Sequence, residues 1–222
     1  MPAGLISTIC LLLLLILWPF ILMDFMLIGL YKLGIPPLIG LGIIFCILLG
    51  SLINIPLKRI NTVSKVPTDL RPLFGFNPWL PRYILQKKQL VIAVNLGGCV
   101  IPSLLALYQL ARLFSADMIL MPIIAVIINV IICYRLSEIK VGVGILLPAY
   151  VPGVVAALCG VILTPENPPA VAFCAGILGP LIGADLLRLK QIMALSSGSA
   201  SIGGAGTFDG IVISGFIALL LS

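Results

Sequence analysis

The chain has 222 residues, of which 61% are hydrophobic and 9% charged, with a net charge of +6. Soluble domains carry about 25% charged residues, so a chain with a mean hydropathy of +1.29 reads as a multi-spanning membrane protein, not a soluble enzyme or a nucleic-acid-binding module. Histidine is absent from the sequence, which removes the commonest metal ligand and the usual general base; the chemistry left to the chain is that of carboxylates, with no cofactor or metal called for.

Apolar runs of about 17–25 residues, the length needed to cross a bilayer, predict seven spans at about 5–30, 37–57, 90–110, 118–134, 141–163, 170–187 and 202–221. The expected fold is therefore an all-α polytopic helical bundle, one integral membrane domain over residues 1–222. The first run, Leu5 to Met23, has neither the basic start nor the small-residue cleavage site of a signal peptide and is read as a retained span. A loop from Lys58 to Gln89 connects the second span to the third. Within it Asn77-Pro78 precedes Trp79, Leu80, Tyr83, Ile84 and Leu85, which predicts a short interfacial amphipathic helix with Arg82, Lys87 and Lys88 toward the headgroups. Asn54, Asn95 and Asn129 fall inside spans two, three and four, where interhelical hydrogen bonds are their ordinary role. Pro148 and Pro152 in span five predict a kink. The six cysteines, Cys10, Cys46, Cys99, Cys133, Cys159 and Cys174, lie singly in apolar runs and read as small core residues.

Loop charge sets the orientation. Lys58, Arg59, Lys65, Arg71, Arg82, Lys87, Lys88, Arg135, Lys140, Arg188 and Lys190 fall on one side, against Lys32 and Arg112 on the other. The positive-inside rule then places the N-terminus in the cytoplasm. The implied partner is the lipid bilayer, and nucleic acid is not one, because the basic residues cluster in loops without interleaved aromatics.

Two acids stand out. Asp185 sits near the end of span six in PLIGADLLRLK, and Asp209 lies within span seven in SIGGAGTFDGIVISG. A carboxylate inside a bilayer is retained when it has a partner or a task. The spans are consecutive and antiparallel, so both acids fall at comparable depth on the cytoplasmic side and can face one another. Gly179 with Gly183, and Gly206 with Gly210, have the spacing that lets two helices approach closely. Asp185 and Asp209 are thus the candidate catalytic residues, with Gly183, Gly204, Gly206, Thr207, Phe208 and Gly210 the candidate substrate-binding positions around them. Two neighbouring carboxyls share a proton and can hold a water, as aspartyl hydrolysis requires. The same pair serves equally as a proton or cation site in a permease, with the glycine-rich start of span seven partly unwound. A plainer arrangement pairs Asp185 with Arg188 or Lys190 and gives Asp209 only hydroxyl and amide partners. The remaining acids, Asp24, Asp69, Asp117, Glu138 and Glu166, are expected in loops or at span ends as solvated charges.

From about Asn95 to Ser222, and above all in IGADLLRL and SIGGAGTFDGI, the chain resembles a family of uncharacterised multi-spanning membrane proteins of bacteria and archaea, a conserved domain of unknown function. That resemblance implies a prokaryotic cytoplasmic membrane and no activity. More distantly, the chain is similar to the presenilin and signal-peptide-peptidase type of intramembrane aspartyl protease, whose two aspartates lie on successive helices with a cytoplasmic loop between them. That resemblance implies a transmembrane peptide substrate, with Asp185 in the first position and Asp209 in the second. The pattern departs at three points: the second motif is GTFD, with Phe208 in place of glycine; Ala184 stands where a tyrosine commonly precedes the first acid; and no Pro-Ala-Leu motif occurs. The sequence thus supports three readings, namely a protease-like hydrolase, a proton- or cation-coupled permease, and a scaffold subunit that binds a protein partner without chemistry.

Overall fold

The computed structural model describes residues 3–67, 83–140, 144–195, 198–204 and 210–222. It begins with α1 (Ala3–Lys32), whose end is fixed by Gly34 at φ +77°, a left-handed position that glycine adopts without Cβ strain. The Ile35 N–H donates to Leu30 O and the Gly34 N–H to Tyr31 O, satisfying carbonyls that the helix end would orphan. Pro37 then opens α2 (Pro37–Gly50), at a position where its missing N–H is no loss.

Beyond α2 the chain turns from helix to strand. β1 (Asn54–Pro67) and β2 (Tyr83–Asn95) form a long antiparallel hairpin, and β5 (Gly198–Ile202) adds to β2 in parallel, so the sheet runs β1-β2-β5. The expectation of an all-α chain is corrected here: helices predominate, but this sheet replaces the start of predicted span three and the end of span two. The reason lies in residue type. Hydropathy does not distinguish a buried strand from a helix, whereas the β-branched run LVIAV in β2 favours the strand. Pro56, which has no N–H for the ladder, coincides with a register shift before Lys58. Tyr83, Ile84 and Leu85 belong to β2 and not to an interfacial helix; Asn77 to Arg82 lie outside the described residues.

A π-helical turn, π1 (Leu96–Val100), leads from β2 into α3 (Ile101–Ser115). α4 (Leu120–Leu136) returns and is succeeded by a small hairpin of β3 (Glu138–Lys140) and β4 (Gly144–Leu146). α5 begins only at Tyr150 and runs to Leu163. Pro148 therefore precedes α5 and Pro152 sits in its first turn, so the predicted proline kink is replaced by a helix start. α6 (Pro168–Pro180) continues as a second π-helical segment, π2 (Leu181–Leu186), and then α7 (Leu189–Leu195). The last described helix is α8 (Gly210–Leu221), and residues 202–204 at the start of the predicted seventh span are not helical.

α6 is the pole of the bundle. Its residues from Ala170 to Pro180 are all buried, packed against α3, α4, α5 and α8. Small residues set the spacing: a Cβ on Gly176 would lie 3.0 Å from both Ala218 Cβ and Gly215 Cα of α8, and a Cβ on Gly160 of α5 would lie 2.9 Å from Ala172 Cβ. The predicted pair Gly179 and Gly183 faces α4 instead of the last helix, because Asn129, Val130 and Cys133 fill the space over it. Asn129 is fully buried there and donates from Nδ2 to Ala175 O at 2.7 Å, the interhelical bond expected of it. Cys99, Cys133 and Cys174 are buried, whereas Cys46 is exposed and Cys159 partly so.

Three helical stretches, Leu11–Lys32, Leu96–Ser115 and Pro168–Ile192, are long and apolar enough to cross a membrane, with four shorter apolar helices beside them. Large side chains such as Leu38, Leu107 and Ile162 are more than half exposed. In water such a surface would drive association; against lipid it is an ordinary contact surface, as befits a membrane protein. At the end of the bundle opposite the sheet, Lys32 Nζ donates to Leu219 O, Leu220 O and Ser222 O, and Arg112 Nη1 donates to Leu33 O at 3.0 Å. Both cations thus sit on helix C-termini, where the macrodipole favours them. Asp24 departs from its expected place at a span end, since α1 continues for eight residues beyond it.

Gly42 of α2 has nothing within 4 Å of where its Cβ would be. Gly42→Ala is expected to stabilise the protein by about 0.5–1 kcal/mol through helix propensity alone, read as a higher midpoint of thermal unfolding in detergent.

Candidate functional site

The sheet brings together chain ends that are far apart in sequence. β2 and β5 run side by side with Val94 opposite Ile202, and each ends in a pair of glycines, Gly97-Gly98 and Gly203-Gly204. Gly203 and Gly204 have φ of +81° and +83°, which an L side chain adopts only with strain. A Cβ at Gly98 would strike the Gly203 carbonyl, and one at Gly203 would stand 2.5 Å from Cys99 Cβ. The two strand ends touch backbone to backbone, and only glycine permits it.

One buried amide anchors this junction. Asn95 is fully buried; its Nδ2 donates to Ser51 O at 2.6 Å and to Asn54 Oδ1 at 3.1 Å, while its Oδ1 accepts the Gly98 N–H at 2.6 Å. Asn54 Oδ1 also accepts the Ser201 hydroxyl at 2.8 Å. One residue from each strand is thereby tied into a single network. Asn95→Ala would leave several of these groups unsatisfied, at about 1–3 kcal/mol for each that stays buried. The expected result is a clear loss of thermal stability that Asn95→Ser does not fully restore.

Asp185 reaches the same place from the other side. It sits half-buried on π2, and its Oδ2 accepts the Gly203 N–H at 3.1 Å. π-helical bulges widen the helical turn and recur at functional sites. Gly183 in the same segment is buried against Val130 O and Cys133, seating π2 directly on α4. Arg188, the expected ion-pair partner, turns instead to the end of α4: Nε donates to Ser137 Oγ at 2.6 Å, Nη2 to Tyr134 O at 2.6 Å and Nη1 to Gln191 Oε1 at 3.2 Å, with the guanidinium carbon 4.6 Å from the Tyr134 ring centroid. Its role is to fasten the end of π2 to α4.

Of the other candidates, Gly204 succeeds Gly203 at the end of β5, and Gly210 opens α8 with Ala149 Cβ 3.6 Å from where its own Cβ would be. Gly206, Thr207, Phe208 and Asp209 lie outside the described residues. Asp185 and Gly204 are therefore brought together at the end of β5, whereas Gly183 lies against α4. Asn54 and Asn95, expected between helices, join strands instead. The signal for that role is the repeated pattern of a strand-forming run and then two glycines, in IAVNLGG and SASIGG.

The family model described as a protein of unknown function, DUF1614, matches residues 48–221. The chain belongs to the DUF1614 family. The matched region of this DUF1614 member takes in the sheet, both π-helical segments and the positions of both candidate aspartates, while α1 and most of α2 precede it. No curated protein and no solved structure matches the chain.

Proposed function

We propose that this DUF1614 protein is a seven-pass membrane hydrolase of aspartyl type, with its N-terminus in the cytoplasm, in which Asp185 and Asp209 act together on a peptide bond of a transmembrane or juxtamembrane substrate. The observation that carries the reading is the bond from the Gly203 amide to Asp185: it ties the first acid to the strand that leads into GAGTFDG. The chemistry is that of a carboxyl pair. One carboxylate takes a proton from a water molecule as its oxygen attacks the scissile carbonyl carbon, and the other, protonated, donates to the carbonyl oxygen. Collapse of the diol passes a proton to the departing amine and breaks the C–N bond.

Position supports the same reading. β5 is a terminal strand of the sheet, and backbone that leaves a helix in an apolar setting needs new hydrogen-bond partners. A strand edge beside Asp185 supplies them to an extended peptide. The described basic residues at this end, Lys58, Arg59, Arg135, Lys140, Arg188 and Lys190, agree with a cytoplasmic sheet.

A transport reading draws on one separate observation, the paired strand-to-helix breaks at Gly97-Gly98 and Gly203-Gly204, since interrupted elements near buried polar groups also form ion sites. One experiment separates the two. Purified protein in lipid vesicles is given labelled single-span peptides, and in parallel a proton or sodium gradient. Peptide cleavage that is lost in both Asp185→Asn and Asp209→Asn supports the hydrolase. Flux lost in the same variants without any cleavage moves the site to transport.

A further inference from the structure

The face of α1 that turns away from the bundle holds a carboxylate. Met26, Gly29, Leu30 and Leu33 are buried against the rest of the chain, whereas Leu17, Ile21, Ile28 and Tyr31 are 52%, 43%, 51% and 68% exposed. Asp24 stands in the middle of this second stripe and is exposed with it. Lys32 and Arg112 are both bonded to carbonyls at helix ends, and cations in that position set the expected membrane boundary. Asp24 is eight residues from Lys32 along α1, which at 1.5 Å per residue places it about 12 Å inside that boundary. A hydrocarbon core is about 30 Å thick, so the carboxylate lies near its middle, too deep for so short a side chain to reach the headgroups. Among the described residues nothing donates a hydrogen bond to it, and its neighbours one turn away, Phe20, Ile21, Leu27 and Ile28, are apolar.

A lipid-facing carboxylate at mid-depth disfavours an isolated α1 and favours whatever neutralises it. We propose that the Asp24 face of α1 docks a transmembrane helix of another protein that carries a lysine or arginine at matching depth. Charge complementarity selects this occupant over a second copy of the chain. The sequence has no histidine, and the lysines and arginines on described helices lie near helix ends, so pairing α1 with α1 of a second copy would set carboxylate against carboxylate. The docking helix would also lie on α1, ahead of the family-matched residues 48–221, which leaves the Asp185 end of the fold unobstructed. The inference stands apart from the hydrolase reading.

The test uses the full chain in phosphatidylcholine vesicles with a donor fluorophore. The acceptor peptides are a polyleucine span with one lysine about 12 Å from its end, the same span without it, and one with aspartate in its place. The lysine peptide is expected to associate about tenfold more tightly than the plain span, an effect of the size typical of polar contacts between membrane helices. Asp24→Leu should abolish that preference and Asp24→Asn should weaken it. Asp24→Lys should transfer the preference to the aspartate peptide; if that variant fails to insert, Leu and Asn decide the matter. Equal association of the lysine and plain peptides, or a lysine preference that survives Asp24→Leu, overturns the proposal. So does self-association of the wild type that Asp24→Leu abolishes while neither peptide binds preferentially.

Discussion

Asparagine at position 185 is expected to lower peptide cleavage by at least about 10²-fold, the contribution typical of a positioned acid or base, while leaving the unfolding midpoint unchanged. The two halves of that expectation have separate causes. Asparagine keeps an oxygen that can accept the Gly203 N–H, so the contact at 3.1 Å survives and the junction between π2 and β5 holds. The loss is of the ionisable carboxyl that the pair needs to activate water. A purely structural Asp185 predicts activity retained in the asparagine variant, with stability moved only when the acceptor itself is removed, as in alanine. Measuring turnover of a single-span peptide beside thermal unfolding of the same preparation decides between them. Asp185→Ala should lose both, since the amide acceptor goes as well.

Gly203→Ala is expected to be strongly damaging. Two penalties coincide. At φ +81° an alanine is strained by about 1–2 kcal/mol, and its Cβ would stand 2.5 Å from Cys99 Cβ and 2.8 Å from Cys99 N, an overpacking cost of about 1–3 kcal/mol. Relief requires either β5 or π1 to shift, and the amide held by Asp185 shifts with it. Cleavage and unfolding midpoint should both fall, in contrast to the rise expected for Gly42→Ala. Cys99→Ala would not rescue the variant, because the backbone strain at position 203 and the contact with Cys99 N remain.

The contrast between these glycines shows how far the sequence alone can be read. Composition makes the membrane character plain, and the apolar runs correctly mark α1, α4 and the continuous stretch from α6 into π2 that carries Asp185. Asp185 is legible because a lone acid in IGADLL has few innocuous explanations. The sheet is not. LVIAV is as apolar as any span, and nothing local says that its partners lie in NIPLKRINTV on one side and SASI more than a hundred residues away on the other. Parallel pairing is a tertiary fact, selected by backbone approach at Gly98 and Gly203 more than by side-chain pattern. Asn95 is visible as a polar residue in an apolar run, but its partners Asn54 and Ser201 become neighbours only once the strands align. Asp24 is misplaced for a simpler reason: a charge six residues from the end of a span predicted at about 5–30 reads as a span-end charge, whereas α1 carries on to a terminator at Gly34.

The parallel pairing of β2 with β5 has a consequence for the order in which the protein assembles. Leu90 is matched with Gly198 and Val94 with Ile202, so β5 can take its place only after α3, α4, α5 and α6 have been synthesised between them. Contacts of such long sequence separation form late, because the intervening loop must close first. Lys32 imposes a similar delay at the opposite end, since its carbonyl partners are Leu219, Leu220 and Ser222. A nascent chain that ends at α7 therefore still lacks the Gly203 amide that bonds Asp185 and the carbonyls that hold Lys32 of α1. The first arrives with the end of β5 and the second with α8, so the candidate site comes into being only after α3 to α7 have been made.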